Sequence, residues 1–95
     1  MRLSFRITGK VQGIGYRWFV KETALRHKVC GWVRNTADSA VEGEAQGPVP
    51  ALDSFLKELR TGHAWAAVNG AETQEMLDSE AAEKEFQIKP SENRQ

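Results

Sequence analysis

Arg17 and Asn35 carry chemistry by residue type and by what precedes them: Arg17 closes Gly9-Lys10-Val11-Gln12-Gly13-Ile14-Gly15-Tyr16-Arg17, and Asn35 closes Gly31-Trp32-Val33-Arg34-Asn35. A guanidinium clamps a phosphoryl group through two parallel N–H bonds, and a side-chain amide beside it orients a water molecule for in-line attack. Three glycines in the first run let the backbone visit positive φ and turn successive N–H groups toward one point. That is a nest for an anion, with a helix N-terminus behind it. Arg17 falls in the first turn of that helix, where a cation opposes the helix dipole by roughly 0.3–1 kcal/mol; a bound anion reverses the local field. Simpler readings stand beside these: a tight strand-to-helix turn followed by a surface arginine, a hairpin asparagine, and Gln12 as a loop amide of no special role.

Spacing removes two better-known phosphate loops. Gly9-Lys10 is followed by Val11 rather than Ser or Thr, so the loop is not a Walker A motif, and Gly13-Ile14-Gly15 continues as Tyr16-Arg17-Trp18 without the third glycine of a dinucleotide fingerprint. Nucleoside triphosphates and NAD are therefore poor candidates. The 95 residues, 40% of them hydrophobic, make one small domain spanning 1–95. Thirteen basic and thirteen acidic residues give a net charge of zero, so no bulk attraction to nucleic acid or to an anionic membrane is expected. Cys30 is the only cysteine, which excludes an internal disulfide and a multi-cysteine metal site and fits a reducing, cytoplasmic setting. No leader or membrane span is expected, because Met1 to Thr8 alternates polar and apolar residues and no apolar run is long enough to span.

The elements that must position Arg17 and Asn35 follow from periodicity. Leu3, Phe5 and Ile7 alternate with Ser4, Arg6 and Thr8, a half-buried strand. Tyr16, Phe19, Val20, Thr23, Ala24 and His27 fall at helical spacing and predict a helix ending near Lys28, with His27 as a helix-end cation partly covering the sheet. Val29 to Asn35 and Val41 to Gln46 read as a hairpin joined by Thr36-Ala37-Asp38-Ser39-Ala40. Pro50 opens a second helix whose Leu52, Phe55, Leu56 and Leu59 form an apolar stripe, and Gly62 stops it. Trp65 to Glu75 is the weakest strand, interrupted by Gly70 and small alanines. Met76 to Lys84 reads as a loop, Phe86 and Ile88 as a short closing strand, and residues 91–95 as a fraying end. Trp18, Trp32 and Trp65 could form a ligand-stacking surface, but in a domain this small large aromatics more often fill the core or its rim, which is the expectation here.

This order, β-α-β-β-α-β, predicts an α+β ferredoxin-like sandwich, an antiparallel sheet covered by two helices on one face. In such a split unit the first two strands are parallel with the third between them, so their carboxyl ends share one edge. The glycine loop and Asn35 then lie about two strand spacings apart, roughly 10 Å, and Arg17 and Asn35 can enter one pocket.

The two runs together closely resemble the acylphosphatase family, and the resemblance continues through Val41-Glu42-Gly43-Glu44-Ala45-Gln46-Gly47-Pro48, the second helix and Phe86-Gln87-Ile88-Lys89. It implies a small enzyme without metal or cofactor that hydrolyses carboxyl-phosphate anhydrides, its partners being a small acyl phosphate and inorganic phosphate. It further implies that Arg17 binds phosphate, that Asn35 positions the water, and that Gln12, Gly13, Ile14, Gly15 and Tyr16 form the backbone cradle. The chain departs from the family pattern at Ser39, where glycine is common, at His63, where proline is common, and at Lys89-Pro90. Monomer is the default state.

An acyl phosphate already has a good carboxylate leaving group, so positioning and charge stabilisation suffice, and neither motif contains an obvious general base. A non-catalytic oxyanion-binding module would use the same cradle. RNA recognition shares the element order, but Val41 to Gln46 has no aromatic residue to stack bases, and a metallochaperone would need a Cys-x-x-Cys pair.

Overall fold

Alternation along the first strand sends Leu3, Phe5 and Ile7 to one side, where each is at most 4% exposed, and Arg2, Ser4 and Arg6 to the other. In the computed structural model, which describes residues 1–92, that strand is β1 (Arg2–Lys10), followed by α1 (Tyr16–Arg26), β2 (Cys30–Asn35), β3 (Val41–Gln46), α2 (Val49–Thr61), β4 (Ala67–Met76) and β5 (Phe86–Ile88). The sheet order is β4-β1-β3-β2-β5. β3 lies antiparallel between β1 and β2, so those two strands are parallel and their carboxyl ends share one edge, as the split unit requires. The fold is the expected α+β, ferredoxin-like one. The sheet is mixed rather than wholly antiparallel, because β5 pairs with β2 in parallel.

Both helices pack their apolar stripes on the face carrying Leu3, Phe5 and Ile7. Leu52, Phe55 and Leu59 of α2 are buried at the i, i+3, i+7 spacing, and each such side chain contributes about 1.5–3 kcal/mol of apolar burial. Phe55 meets Phe5 edge-on at 5.9 Å between ring centroids and meets Phe86 at the same separation, joining helix, central strand and closing strand. On α1 the buried residues are Tyr16, Val20, Thr23 and Ala24. The Nε2 of His27 lies 2.7 Å from the Glu58 carboxylate of α2, so His27 bridges the helices rather than covering the sheet.

Both helices end where expected, near Lys28 and at Gly62, but each stops for its own reason. α1 ends at Arg26, and Lys28 takes the left-handed conformation (φ 56°) that closes a Schellman turn: Val29 N–H donates to the Ala24 carbonyl and Lys28 N–H to the Leu25 carbonyl. Gly62 ends α2 with φ −86°, so no left-handed residue is needed there. Glycine is required for room instead, since a Cβ would stand 2.8 Å from the Glu58 carbonyl and 2.9 Å from the Phe19 ring.

β4 is largely exposed, yet it pairs with β1 along its length, with an irregularity at Thr8/Gly9. Ladder hydrogen bonds rather than buried side chains hold it, which is why its apolar pattern is weak. The segment 77–85 is held from below by Arg2, whose guanidinium donates to Glu44 and Glu83, and by Gln46, whose Oε1 accepts from Ser79 N–H. Of the expected frayed end, residues 93–95 lie outside the described residues, while Glu92 N–H donates to the Asn35 carbonyl at 2.9 Å.

Two of the three tryptophans do not pack as expected. Trp18 is 63% exposed and Trp65 75%, because each lies off the apolar stripe or outside an element. Trp32 is half-buried on the uncovered face of the sheet, with Lys89 Nζ 4.4 Å and the Arg34 guanidinium 5.4 Å from its ring centroid.

Candidate active site

Between β1 and α1 the chain turns through Val11 to Gly15, with φ +124° at Gly9, +76° at Gly13 and +75° at Gly15. Val11 is buried and Ile14 packs against the core, so the loop is anchored by its apolar residues and curved by its glycines. Gly15 is the N-cap of α1 and contributes no side-chain acceptor, and the first turn contains no acidic residue. The N–H groups at this helix start therefore face outward with the positive end of the helix dipole.

Arg17 follows in that first turn, and its guanidinium donates to the Lys89 carbonyl just past β5 at 3.2 Å. Asn35 ends β2 on the same side of the strand as Gly31 and Val33, the side that faces the helices. Its backbone is fixed twice, by its register opposite Val41 and by the bond from Glu92 N–H. Glu92 Oε1 also accepts from Ala37 N–H, so residues 89–92 brace both Arg17 and the end of β2.

A cavity of about 160 Å³ opens where these elements meet, lined by Val11, Gly13, Gly15, Tyr16, Arg17, Trp18 and Asn35. Arg17 and Asn35, eighteen positions apart in the chain, thus share one pocket with two of the loop glycines. Gln12 and Ile14 do not line it through their side chains. The Gln12 side chain turns the other way, and its Nε2 donates to the carbonyls of Thr36 (2.9 Å) and Ala40 (2.8 Å), stapling the loop to the β2–β3 turn just beyond Asn35. The reading of Gln12 as a loop amide without a role of its own is corrected by those two bonds. Tyr16 is buried and its hydroxyl donates to the Leu59 carbonyl at 2.5 Å, tying the start of α1 to the end of α2. Burial pushes the Tyr16 phenol well above its ordinary range, so it stays a neutral donor.

Trp18 is the pocket residue that sequence reasoning misplaced. The signal was present: it sits two positions from both Tyr16 and Val20, off the buried stripe of α1. The braces at Lys89 and Glu92 carried no such signal, because every one of these bonds has a backbone N–H or carbonyl as a partner, and a backbone group has no signature in sequence. A larger hollow of about 460 Å³ lies on the uncovered face of the sheet among Arg6, Trp32, Arg34, Glu42 and Glu72, away from the glycine loop. Among the described residues no group of three His, Cys, Asp or Glu side chains is arranged to hold a metal ion, and no helix is long and apolar enough to cross a membrane.

The sheet order and the two-helix layer define the molecule as one of the ferredoxin-like α+β sandwiches, here with an anion-sized pocket at the edge shared by β1 and β2. The chain belongs to the acylphosphatase family, whose model matches residues 3–88, and it is an enzyme of that type, a hydrolase. An acylphosphatase of Rhizobium etli is 42% identical over 87% of this chain and 87% of its own length, and one of Salinibacter ruber is 45% identical over 86% and 83%. The crystal structure of acylphosphatase from Bacillus subtilis superposes with a TM-score of 0.86 at 34% identity, covering 92% of this chain and 96% of the other.

Proposed function

We propose that this chain hydrolyses small acyl phosphates to carboxylate and inorganic phosphate, with Arg17 and the backbone N–H groups of Gln12 to Tyr16 holding the phosphoryl oxygens and Asn35 holding the attacking water. The observation that carries this reading is the shared pocket of Arg17, Asn35, Gly13 and Gly15. The guanidinium and the helix start supply positive charge where the equatorial oxygens gather charge in the transition state. Asn35, approaching from the end of β2 at the same sheet edge, directs water along the line opposite the leaving acyl oxygen. Among the described residues no carboxylate or imidazole lines the pocket, which supports transfer of the water's proton to a phosphoryl oxygen rather than to a side chain. The leaving carboxylate is stable at neutral pH and needs no acid, so neither a metal ion nor a cofactor enters any step.

The test is hydrolysis of an aromatic acyl phosphate in chelator-containing buffer by the parent, Asn35→Ala and Arg17→Ala, with phosphate binding followed by NMR titration. Asn35→Ala is expected to lose about 10²–10³ in kcat while still binding phosphate, and Arg17→Ala to lose binding and turnover together. Full activity in Asn35→Ala would remove its assigned role. A folded parent that binds phosphate but turns over nothing would leave only an oxyanion-binding module.

A further inference from the structure

Folding does not account for Trp18. It is the third residue of α1, it projects away from the stripe formed by Tyr16, Val20, Thr23 and Ala24, and 63% of its surface is open to water. A large apolar ring left in solvent at an element's surface has no packing role there. Yet Trp18 lines the same pocket as Arg17 and Asn35. Its ring is steadied by Lys21, one helical turn on, whose ammonium lies 5.5 Å from the ring centroid.

Pocket size makes this placement informative. A volume of about 160 Å³ takes a phosphoryl group and little more, well below the roughly 300–1,000 Å³ of sites that enclose a whole small molecule. When the phosphoryl group is seated, the acyl portion of a substrate lies at the pocket mouth, and the apolar side chain at that mouth is Trp18. An indole face attracts another flat π-system in offset or edge-on contact and has little to offer a short alkyl chain.

We infer that Trp18 is the acyl-recognition residue of this site, a platform on which the planar ring of an aromatic acyl phosphate stacks while its phosphoryl end is held below. The inference rests on the phosphoryl placement proposed above. It assigns Trp18 to substrate selection and gives it no part in the displacement itself.

The experiment compares kcat/KM for benzoyl phosphate and acetyl phosphate in the parent, Trp18→Ala, Trp18→Phe and Arg17→Ala, with each variant's Tm and circular dichroism as the check on folding. Trp18→Ala is expected to lower the benzoyl-to-acetyl ratio of kcat/KM about fivefold to tenfold, mainly through KM for benzoyl phosphate. Trp18→Phe, which keeps a π face, is expected to restore most of the ratio. A ratio unmoved in Trp18→Ala, together with loss of both activities in Arg17→Ala, would leave the phosphoryl site standing and overturn the role of Trp18. Parental activity on both substrates in Arg17→Ala would overturn the phosphoryl placement and the acyl platform together. Because a loss of general structural integrity lowers both substrates alike, only an acyl contact moves the ratio.

Discussion

Gln12 and Asp38 illustrate how single side chains set the position of the pocket without entering it. The Gln12 amide donates to both the Thr36 and Ala40 carbonyls, and it crosses from the glycine loop to the turn that follows Asn35. Gln12→Ala removes those two hydrogen bonds while each carbonyl keeps a backbone donor, Ser39 N–H for Thr36 and Thr36 N–H for Ala40, so the cost should be about 1–2 kcal/mol. Urea denaturation should read that loss, and kcat should fall in the same variant, since the loop and the end of β2 lose their common staple. Asp38 works through charge: the Thr36 hydroxyl and then the Arg6 guanidinium, 2.5 Å from its Oδ2, hold its carboxyl from 3.8 down to about 2. A depressed carboxylate stabilises the fold above its unfolded pKa and ceases to do so as pH falls through the folded value. The Tm gap between parent and Asp38→Asn should therefore be full at pH 5, shrink from about pH 4 downward and close only below about pH 2. A gap as large at pH 2 as at pH 5 would mean that Asp38 acts through shape and not through its charge.

The turns show where an element's ends are set by backbone conformation and not by apolar pattern. Ser39 takes φ 74° in the β2–β3 turn, a left-handed conformation that costs a residue with a Cβ roughly 1–2 kcal/mol. Glycine relieves that strain while adding freedom to the unfolded chain, so Ser39→Gly should stabilise by about 0.5–1 kcal/mol net. The check is a urea midpoint that rises with m unchanged, and a midpoint that falls would show that the Ser39 side chain contributes more than the strain removes. The family departure at Ser39 thus bears on stability, as does Lys28 in its left-handed helix-end position. At His63, the other departure, the ring sits 5.3 Å from Phe19 and 5.9 Å from Tyr16 between centroids, and its Nδ1 accepts from Trp65 N–H. The ring fills the junction between α2 and β4 that a proline would stiffen.

Across the molecule, one face of the sheet carries the two helices and the other is charged, with Arg2 at its covered end. Arg2 is 4% exposed and joins β1, β3 and the 77–85 segment through Glu44 and Glu83. Arg2→Met leaves those two carboxylates facing each other without a cation, and because both keep some solvent contact the cost should be about 2–3 kcal/mol, below that of a fully buried pair. Amide hydrogen exchange should report the loss first within 77–85, and protection there equal to the parent's would show that the segment is held by other contacts. The element order, the apolar faces of β1 and α2, the hairpin and the pairing of Arg17 with Asn35 at one sheet edge were all legible in the chain. Period, turn chemistry and the connection rules of a split β-α-β unit are local or topological and need no coordinates. Strand pairing decided β4, whose hydrogen bonds lie in the backbone, and the parallel docking of β5 beside β2. Only the assembled fold turned the Gln12 side chain away from the pocket, brought Lys89 and Glu92 to brace Arg17 and Asn35, and left Trp18 in water at the pocket mouth. Each of these depends on which distant backbone group a side chain meets, and that meeting is set by packing between elements rather than by the residues on either side.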